Sequence, residues 1–204
     1  LANLVPPGTC ARNLVLLGDQ MQLAQPVQGV HPGRSGDSAL DYLLDGAPTI
    51  APDKGIFLAR TWRMHPRVCR FISEAVYESR LEPEPDNSRR ELVLGEGAHP
   101  LLQAPGLVYA SVHHEGCSQA SQVEADLVAA VYASALGQQY TDRDGNVHRL
   151  SEDNILVMAP YNVQVNLLKG FLPEGARVGT VDKFQGQEAE LVIVSMTTSS
   201  EQDL

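Results

Sequence analysis

Short apolar runs alternate with segments of helical periodicity along most of this chain, and that alternation restricts the fold more than any other feature. IFLA (Ile56 to Ala59), GLVYASV (Gly106 to Val112), ILVMA (Ile155 to Ala159), Arg177 to Val181 and Leu191 to Met196 read as strands. Between them, Pro66 opens a helix whose Val68, Phe71, Ile72, Ala75 and Val76 share one face. Ser121 to Leu136 forms a second, with Val123, Leu127, Ala130 and Val131 on one face, and Val163 to Phe171 a third. Strands and helices in turn make βαβ units, so the expected class is α/β, with a mostly parallel sheet and helices on both faces. In such sheets ligands collect beyond the carboxyl ends of the strands.

Nearer the start, Asn13 to Leu17 (NLVLL) reads as another buried strand, stopped by Gly18-Asp19. Residues 26–55 are rich in Gly, Pro and Asp, with a short helix around Ser38 to Leu44, and read as a connector. The domain boundary is placed there, giving residues 1–50 and 51–204. Pro83 to Arg90 is expected to be a polar surface loop, and Asp144-Gly145 the centre of a hairpin turn.

With 204 residues, 43% of them hydrophobic, the chain can bury the core of one domain with something extra attached. Its formal net charge of −10 repels nucleic acid as a whole, so any contact with a phosphate backbone must be local. Cys10, Cys69 and Cys117 lie far apart with no CxxC spacing, which fits reduced thiols and no structural metal. No apolar run approaches the ~20 residues that a membrane helix needs, and nothing resembles a signal peptide. The expected setting is the cytoplasm, with no membrane partner.

Four polar loops follow strands and could gather along one sheet edge: GDQMQ, RTWRMHP, APYNVQ and TVDKFQGQE. In the first, Gln20 and Gln22 can donate to a phosphate oxygen or accept from water, or the loop is a plain polar turn. In the second, Arg63 stands beside Trp62 just before a helix, where a guanidinium can reach a phosphate and an indole can stack on a base. Arg60, Arg63, Arg67 and Arg70 form a local basic cluster, in which Arg67 and Arg70 fit a solvated helix face. Tyr161, Asn162 and Gln164 open a helix and either meet a nucleic-acid phosphate or cap it. His113 and His114 are adjacent, so on a strand they would point to opposite faces and make no metal site with Cys117. Pro6-Pro7-Gly8-Thr9-Cys10 imitates a phosphate-binding loop, but Cys10-Ala11 stands where Gly-Lys is required. There is no G-x-S-x-G elbow and no H-E-x-x-H in the chain.

In this order the segments resemble the motors of helicase superfamily 1, of the Upf/Dna nuclease-helicase type in the 5′-to-3′ branch. GDQMQL looks like the third motif, TWRMHP like the fourth, VYESRL like the helix end after it, MAPYNVQV like a nucleic-acid-facing segment and VGTVDKFQGQEAELVIVSM like the fifth motif. The opening LANLVPPGTCARNLVLLGDQMQL and TWRMHPRVCRFISEAVYESRL also resemble bacterial proteins in which such a motor follows a RecB-like nuclease.

The resemblance implies a three-layer RecA-like fold of the P-loop NTPase type. Residues 1–50 would be the tail of a first RecA-like domain and 51–204 a second, truncated before the last motif. It implies that Gln22 senses the terminal phosphate and its attacking water, and that Arg63 acts as an arginine finger. Trp62, where the family usually has tyrosine, would stack near the adenine. Glu188 would hold the ribose in a loop shaped by Gln185 and Gly186, with Asp19 also at the nucleotide. Thr180, Tyr161 and Asn162 would touch a single strand of DNA or RNA. ATP and Mg2+ would serve the intact parent, with the missing first RecA-like domain as partner and, as in the nuclease fusions it resembles, an upstream nuclease domain. This piece alone is expected to bind neither tightly and to be inactive, as a fragment of an ATP-dependent helicase or translocase. The other reading is a non-catalytic RecA-like module that binds nucleic acid or protein.

Overall fold

The structure, a computed structural model, describes residues 4–23, 29–103 and 106–199. Leu1 to Asn3 of the opening segment and the first residues of the connector lie outside the described residues. The chain divides into two compact units, one holding residues up to Arg60 together with Cys69–Glu82, the other Thr61–Val68 and everything from Pro83.

The first unit begins with α1 (Val5–Cys10), where prolines at the first helical positions are tolerated because their missing N–H groups would have no intrahelical partner. α2 (Ala39–Leu44) is capped by the Ser38 hydroxyl, which accepts from the Asp41 N–H at 3.1 Å. β1 (Arg60–Thr61), α3 (Pro66–Val76) and β2 (Glu82–Pro83) follow, and β1 pairs with β2.

Of the apolar line expected on α3, Val68, Ile72 and Val76 are half-buried while Phe71 and Ala75 are exposed, and the fully buried line runs beside it. Cys69 and Ser73 are buried and Phe71 is exposed. The chain turns back after α3 through left-handed Glu78 and Ser79, and it lies on the Cys69–Ser73 line. The Ser73 hydroxyl accepts from Leu81 N–H at 3.0 Å, and Ser73 O accepts from Ser79 N–H at 2.8 Å.

Arg80 locks the same turn by donating to Thr49 Oγ1 and Ile50 O, with its guanidinium over the Phe57 ring. Thus Phe57 is held, while Ile56 and Leu58 on either side are exposed and IFLA is not a strand. NLVLL fares likewise: Val15 and Leu17 are more than four-fifths exposed, not buried. A buried parallel strand needs hydrogen-bonded neighbours on both edges, and none of the described residues pairs with this run.

The second unit holds two sheets. β3 (Glu91–Val93), β4 (Gln139–Thr141) and β5 (Val147–Arg149) form an antiparallel meander whose last turn is the expected Asp144-Gly145 hairpin. β6 (Ile155–Met158), β7 (Arg177–Gly179) and β8 (Leu191–Val194) form a parallel sheet in the order β7-β6-β8. The central β6 is an unbroken apolar run because it is covered on both faces, whereas the edge strand β8 alternates and leaves Val192 and Val194 exposed.

α5 (Asn162–Phe171) makes the crossover from β6 to β7. α4 (Gln122–Ala135) packs with it around Tyr132, Ile155, Val157 and Leu168, each worth about 1.5–3 kcal/mol when fully buried. Ala125, Val128, Val131, Tyr132 and Ala135 form the buried face of α4, so of the four residues expected there only Val131 is buried, and Val123 and Ala130 face out.

GLVYASV is not a strand, with Tyr109 90% exposed. Pro83 to Arg90 is not a plain surface loop: it contains a 3-10 helix, Pro85–Arg89, and Asn87 within it is fully buried, donating to Met64 O.

Candidate nucleotide and nucleic-acid site

The loop from Thr180 to Glu188 crosses the parallel sheet from one end to the other. It leaves the carboxyl end of β7 and enters a 3-10 turn, Asp182–Phe184, whose Phe184 ring is buried. That ring lies across Gly179, where a Cβ would sit 3.1 Å from its edge and 2.6 Å from Lys183 Cδ. Gly186 has φ +80 with no atom within 4 Å of a would-be Cβ, so the sign of φ and not space calls for glycine.

Gln187 then donates to Lys183 O and accepts from the Arg177 guanidinium at 2.5 Å, whose other arm donates to Asp153 O. Arg177 opens β7 and Asp153 precedes β6, so Gln187 lies by the amino ends of these strands. Sequence reasoning passed over Gln187, which anchors the far end of the loop.

Next to this anchor, Glu188 meets Arg63. Arg63 Nε lies 3.1 Å from Glu188 Oε1, with the two side chains 60% and 58% exposed. Trp62, the neighbour of Arg63, is also more than half exposed. A solvated ion pair of this kind contributes about 0–1 kcal/mol, so either partner can be taken over by a ligand of opposite charge. Gln185 is exposed in the same loop.

At the opposite end, Met158 of β6 is in register with Gly179 of β7, and Ala159 N–H donates to Gly179 O at 3.2 Å. Thr180 and Tyr161-Asn162 therefore leave the same carboxyl edge. Tyr161 is the N-cap of α5 and its side chain makes no capping bond, while Asn162 is already the first helical residue and is exposed. The capping alternative thus lacks its hydrogen bond. Gln164 departs from the expectation that it belongs to the loop: it is fully buried and bonded to Ser121 and Ser195.

In the first unit, Asp19 is a hub. Its carboxylate accepts from Tyr77 Oη at 2.6 Å, Gln22 Nε2 at 2.7 Å and Met21 N at 3.0 Å. Burial, reinforced by the bond to Asp19, pushes the Tyr77 hydroxyl up to about 12. Gln20 turns away and donates to Ala47 O and Pro48 O. The TWRMHP, APYNVQ and TVDKFQGQE loops belong to the second unit and GDQMQ, like Arg60, to the first. Within the second unit its three loops do not gather along one edge, since Arg63 meets Glu188 beside an anchor at the amino ends while Thr180 and Tyr161-Asn162 leave the carboxyl ends.

Among the described residues, no group of three or more His, Cys, Asp or Glu could hold a metal ion, and no helix is long and apolar enough to cross a membrane.

A parallel sheet with a helical crossover from β6 to β7 and a charged loop spanning it make a mixed α/β domain, consistent with the RecA-like, P-loop type. The chain belongs to the AAA domain family, whose model matches residues 37–204. It is 28% identical over 200 residues to DNA polymerase alpha-associated DNA helicase A of Schizosaccharomyces pombe, covering 92% of this chain and 29% of the relative. It is 25% identical over 203 residues to the Regulator of nonsense transcripts 1 homolog of Arabidopsis thaliana, covering 97% of this chain and 16% of the relative. With DNA-binding protein SMUBP-2 of Rattus norvegicus it shares 30% identity over 162 residues, 70% of this chain and 15% of the relative. These relatives place the chain as a RecA-like domain of superfamily 1 helicase type, and it spans less than a third of the length of each.

Proposed function

We propose that this chain is the motor portion of an ATP-dependent nucleic-acid helicase or translocase, supplying half of a nucleotide site and part of a single-strand track. The observation that carries the reading is the Arg63–Glu188 pair, which brings together two residues of separate motifs, each suited to a different part of a nucleoside triphosphate. Arg63 is the finger on the transferring phosphoryl group and Glu188 the acceptor for ribose hydroxyls, with Trp62 as the stacking surface. The exposed pair is weak enough for a triphosphate to draw the guanidinium away and leave the carboxylate to the sugar.

Asp19 and Gln22, in the first unit, are assigned to the terminal phosphate and its water. Asp19 holds the Gln22 amide at 2.7 Å and so sets its direction. Thr180, Tyr161 and Asn162 are assigned to the backbone of a single strand, which suits an otherwise acidic chain whose nucleic-acid contacts must be few and local. ATP and Mg2+ are assigned to the intact polypeptide. Residues 1–50 would be the tail of a first RecA-like domain, to whose sheet NLVLL would add, and the protein would work in the cytoplasm. The names of the relatives, two of them a DNA helicase and a DNA-binding protein, support nucleic acid as the substrate class.

The test is ATP hydrolysis by the full-length polypeptide, with and without single-stranded DNA and RNA, beside this 204-residue chain. Strand-stimulated hydrolysis by the full polypeptide alone is the expected result. Strand binding without hydrolysis in either would replace the motor by a non-catalytic binding module.

A further inference from the structure

The sequence Ser121-Gln-Val-Glu124 is a capping box, in which the glutamate ordinarily reaches back to the N–H of the cap residue. Here only half of the box forms. Ser121 Oγ accepts from Glu124 N–H at 3.3 Å, but Ser121 N–H is given to Gln164 Oε1 at 2.9 Å. The Glu124 carboxylate is thereby released for another task, and it turns to the chain that follows β8.

It accepts from the Ser195 hydroxyl at 2.6 Å and from Thr197 N–H through both oxygens at 3.0 and 3.1 Å. His114 Nε2 lies 2.8 Å from Glu124 Oε1, and its Nδ1 lies 2.6 Å from the Ser199 hydroxyl, which also accepts from Cys117 N–H. Gln164 completes the network by donating to Ser195 Oγ at 2.9 Å and to Ser121 O. Gln164 and Thr197 are fully buried, and Ser121 and Ser195 nearly so.

Two features separate this network from ordinary core satisfaction. Thr197 has φ +68, a left-handed conformation that a buried β-branched residue adopts only when its surroundings impose it, and the Glu124 carboxylate holds its N–H. The network also joins the ends of two parallel strands: Gln164 lies in the first turn of the helix opened by Tyr161 and Asn162, and Ser195 directly follows β8, bonded to Met158 O at 2.9 Å.

We propose that Glu124 is a positioning residue, which through Ser195 and Gln164 fixes the segment after β8 to the helix that presents Tyr161 and Asn162, so that strand contact and the chain leaving the sheet move as one body. This rests on the motor reading above. It predicts that the network sets how strongly a bound strand stimulates hydrolysis, while nucleotide affinity in the absence of strand is left alone.

The test uses the full-length polypeptide with poly(dT) and poly(U). Ser195→Ala removes only the hydroxyl that bridges Gln164 and Glu124. It is expected to lower the ratio of strand-stimulated to basal hydrolysis by about two- to thirty-fold, with basal kcat and the KM for ATP unchanged. Glu124→Ala should lower the ratio as well. Glu124→Gln should keep it, because the amide oxygen still accepts from Ser195 and Thr197 while the amide nitrogen faces a His114 ring in its other tautomer. Ser195→Ala and Glu124→Ala variants that melt earlier but keep the wild-type ratio would reduce the network to a structural role and overturn the inference. An unmodified polypeptide with no strand-stimulated hydrolysis would overturn the motor reading itself, and the inference with it.

Discussion

Tyr132 illustrates how a single atom can work against its surroundings. The side chain is fully buried between α4 and the parallel sheet, yet its hydroxyl has no hydrogen-bond partner among the described residues. A buried unsatisfied polar group costs about 1–3 kcal/mol, so Tyr132→Phe should stabilise the protein by roughly 1 kcal/mol, read as a raised melting temperature. A lowered melting temperature would mean that the hydroxyl finds a partner after all. Tyr77 is the opposite case, bonded to Asp19 and titrating at about 12. Because the folded state keeps this proton while an unfolded tyrosine loses it near 10, the stabilisation is complete below about pH 10 and is lost between there and about 12. Tyrosinate absorbance in wild type minus Tyr77→Phe should therefore rise well above the ordinary tyrosine range.

Among the elements, the parts legible in the sequence are those whose stabilisation is local or whose apolar run is unbroken. ILVMA reads as the central strand because it is apolar on both faces, and Ser38 and Ser121 announce helix starts because their hydroxyls cap the first turn. What the sequence conceals is which side of an element meets the rest of the chain. The buried Cys69–Ser73 line of α3 follows from a chain reversal through left-handed Glu78 and Ser79, which no periodicity encodes. NLVLL, IFLA and GLVYASV carry strand composition without a strand ladder of their own among the described residues, since composition specifies a willingness to pair and not the neighbour.

The Arg63–Glu188 pair could be anticipated only as two motifs, and Gln187 and Glu124 not at all, since their roles depend on contacts with distant Arg177 and Ser195. For the loop itself, Gly186→Ala should cost about 1–2 kcal/mol through its φ of +80 and displace Glu188. The expected readout is a raised KM for ATP in the full polypeptide, and an unchanged KM would detach Glu188 from the nucleotide. Acid acts on α4. Burial alone would raise the Glu124 carboxyl, but hydrogen bonds from Ser195, His114 and Thr197 outweigh it and leave it below its ordinary value. Its stabilising contribution is therefore present above the usual carboxylate range and is lost as pH falls below that range through its depressed folded value. Wild type should lose stability more steeply than Glu124→Gln in melting curves taken below about pH 5.

At the scale of the whole molecule, the family and the α/β class were readable from the order of the motifs, and the family model agrees over residues 37–204. The acidic balance of −10 and the few exposed groups at the carboxyl edge of β6 and β7 require any contact with a strand, as proposed, to be local. Directed work from such contacts requires hydrolysis, and the account assigns its most sensitive contribution to Arg63. The direct measurement is single-turnover ATP hydrolysis by the full-length polypeptide with saturating single strand, wild type against Arg63→Ala. The expected result is a loss of about 10³-fold or more with strand binding retained. Hydrolysis by Arg63→Ala at the wild-type rate would contradict it.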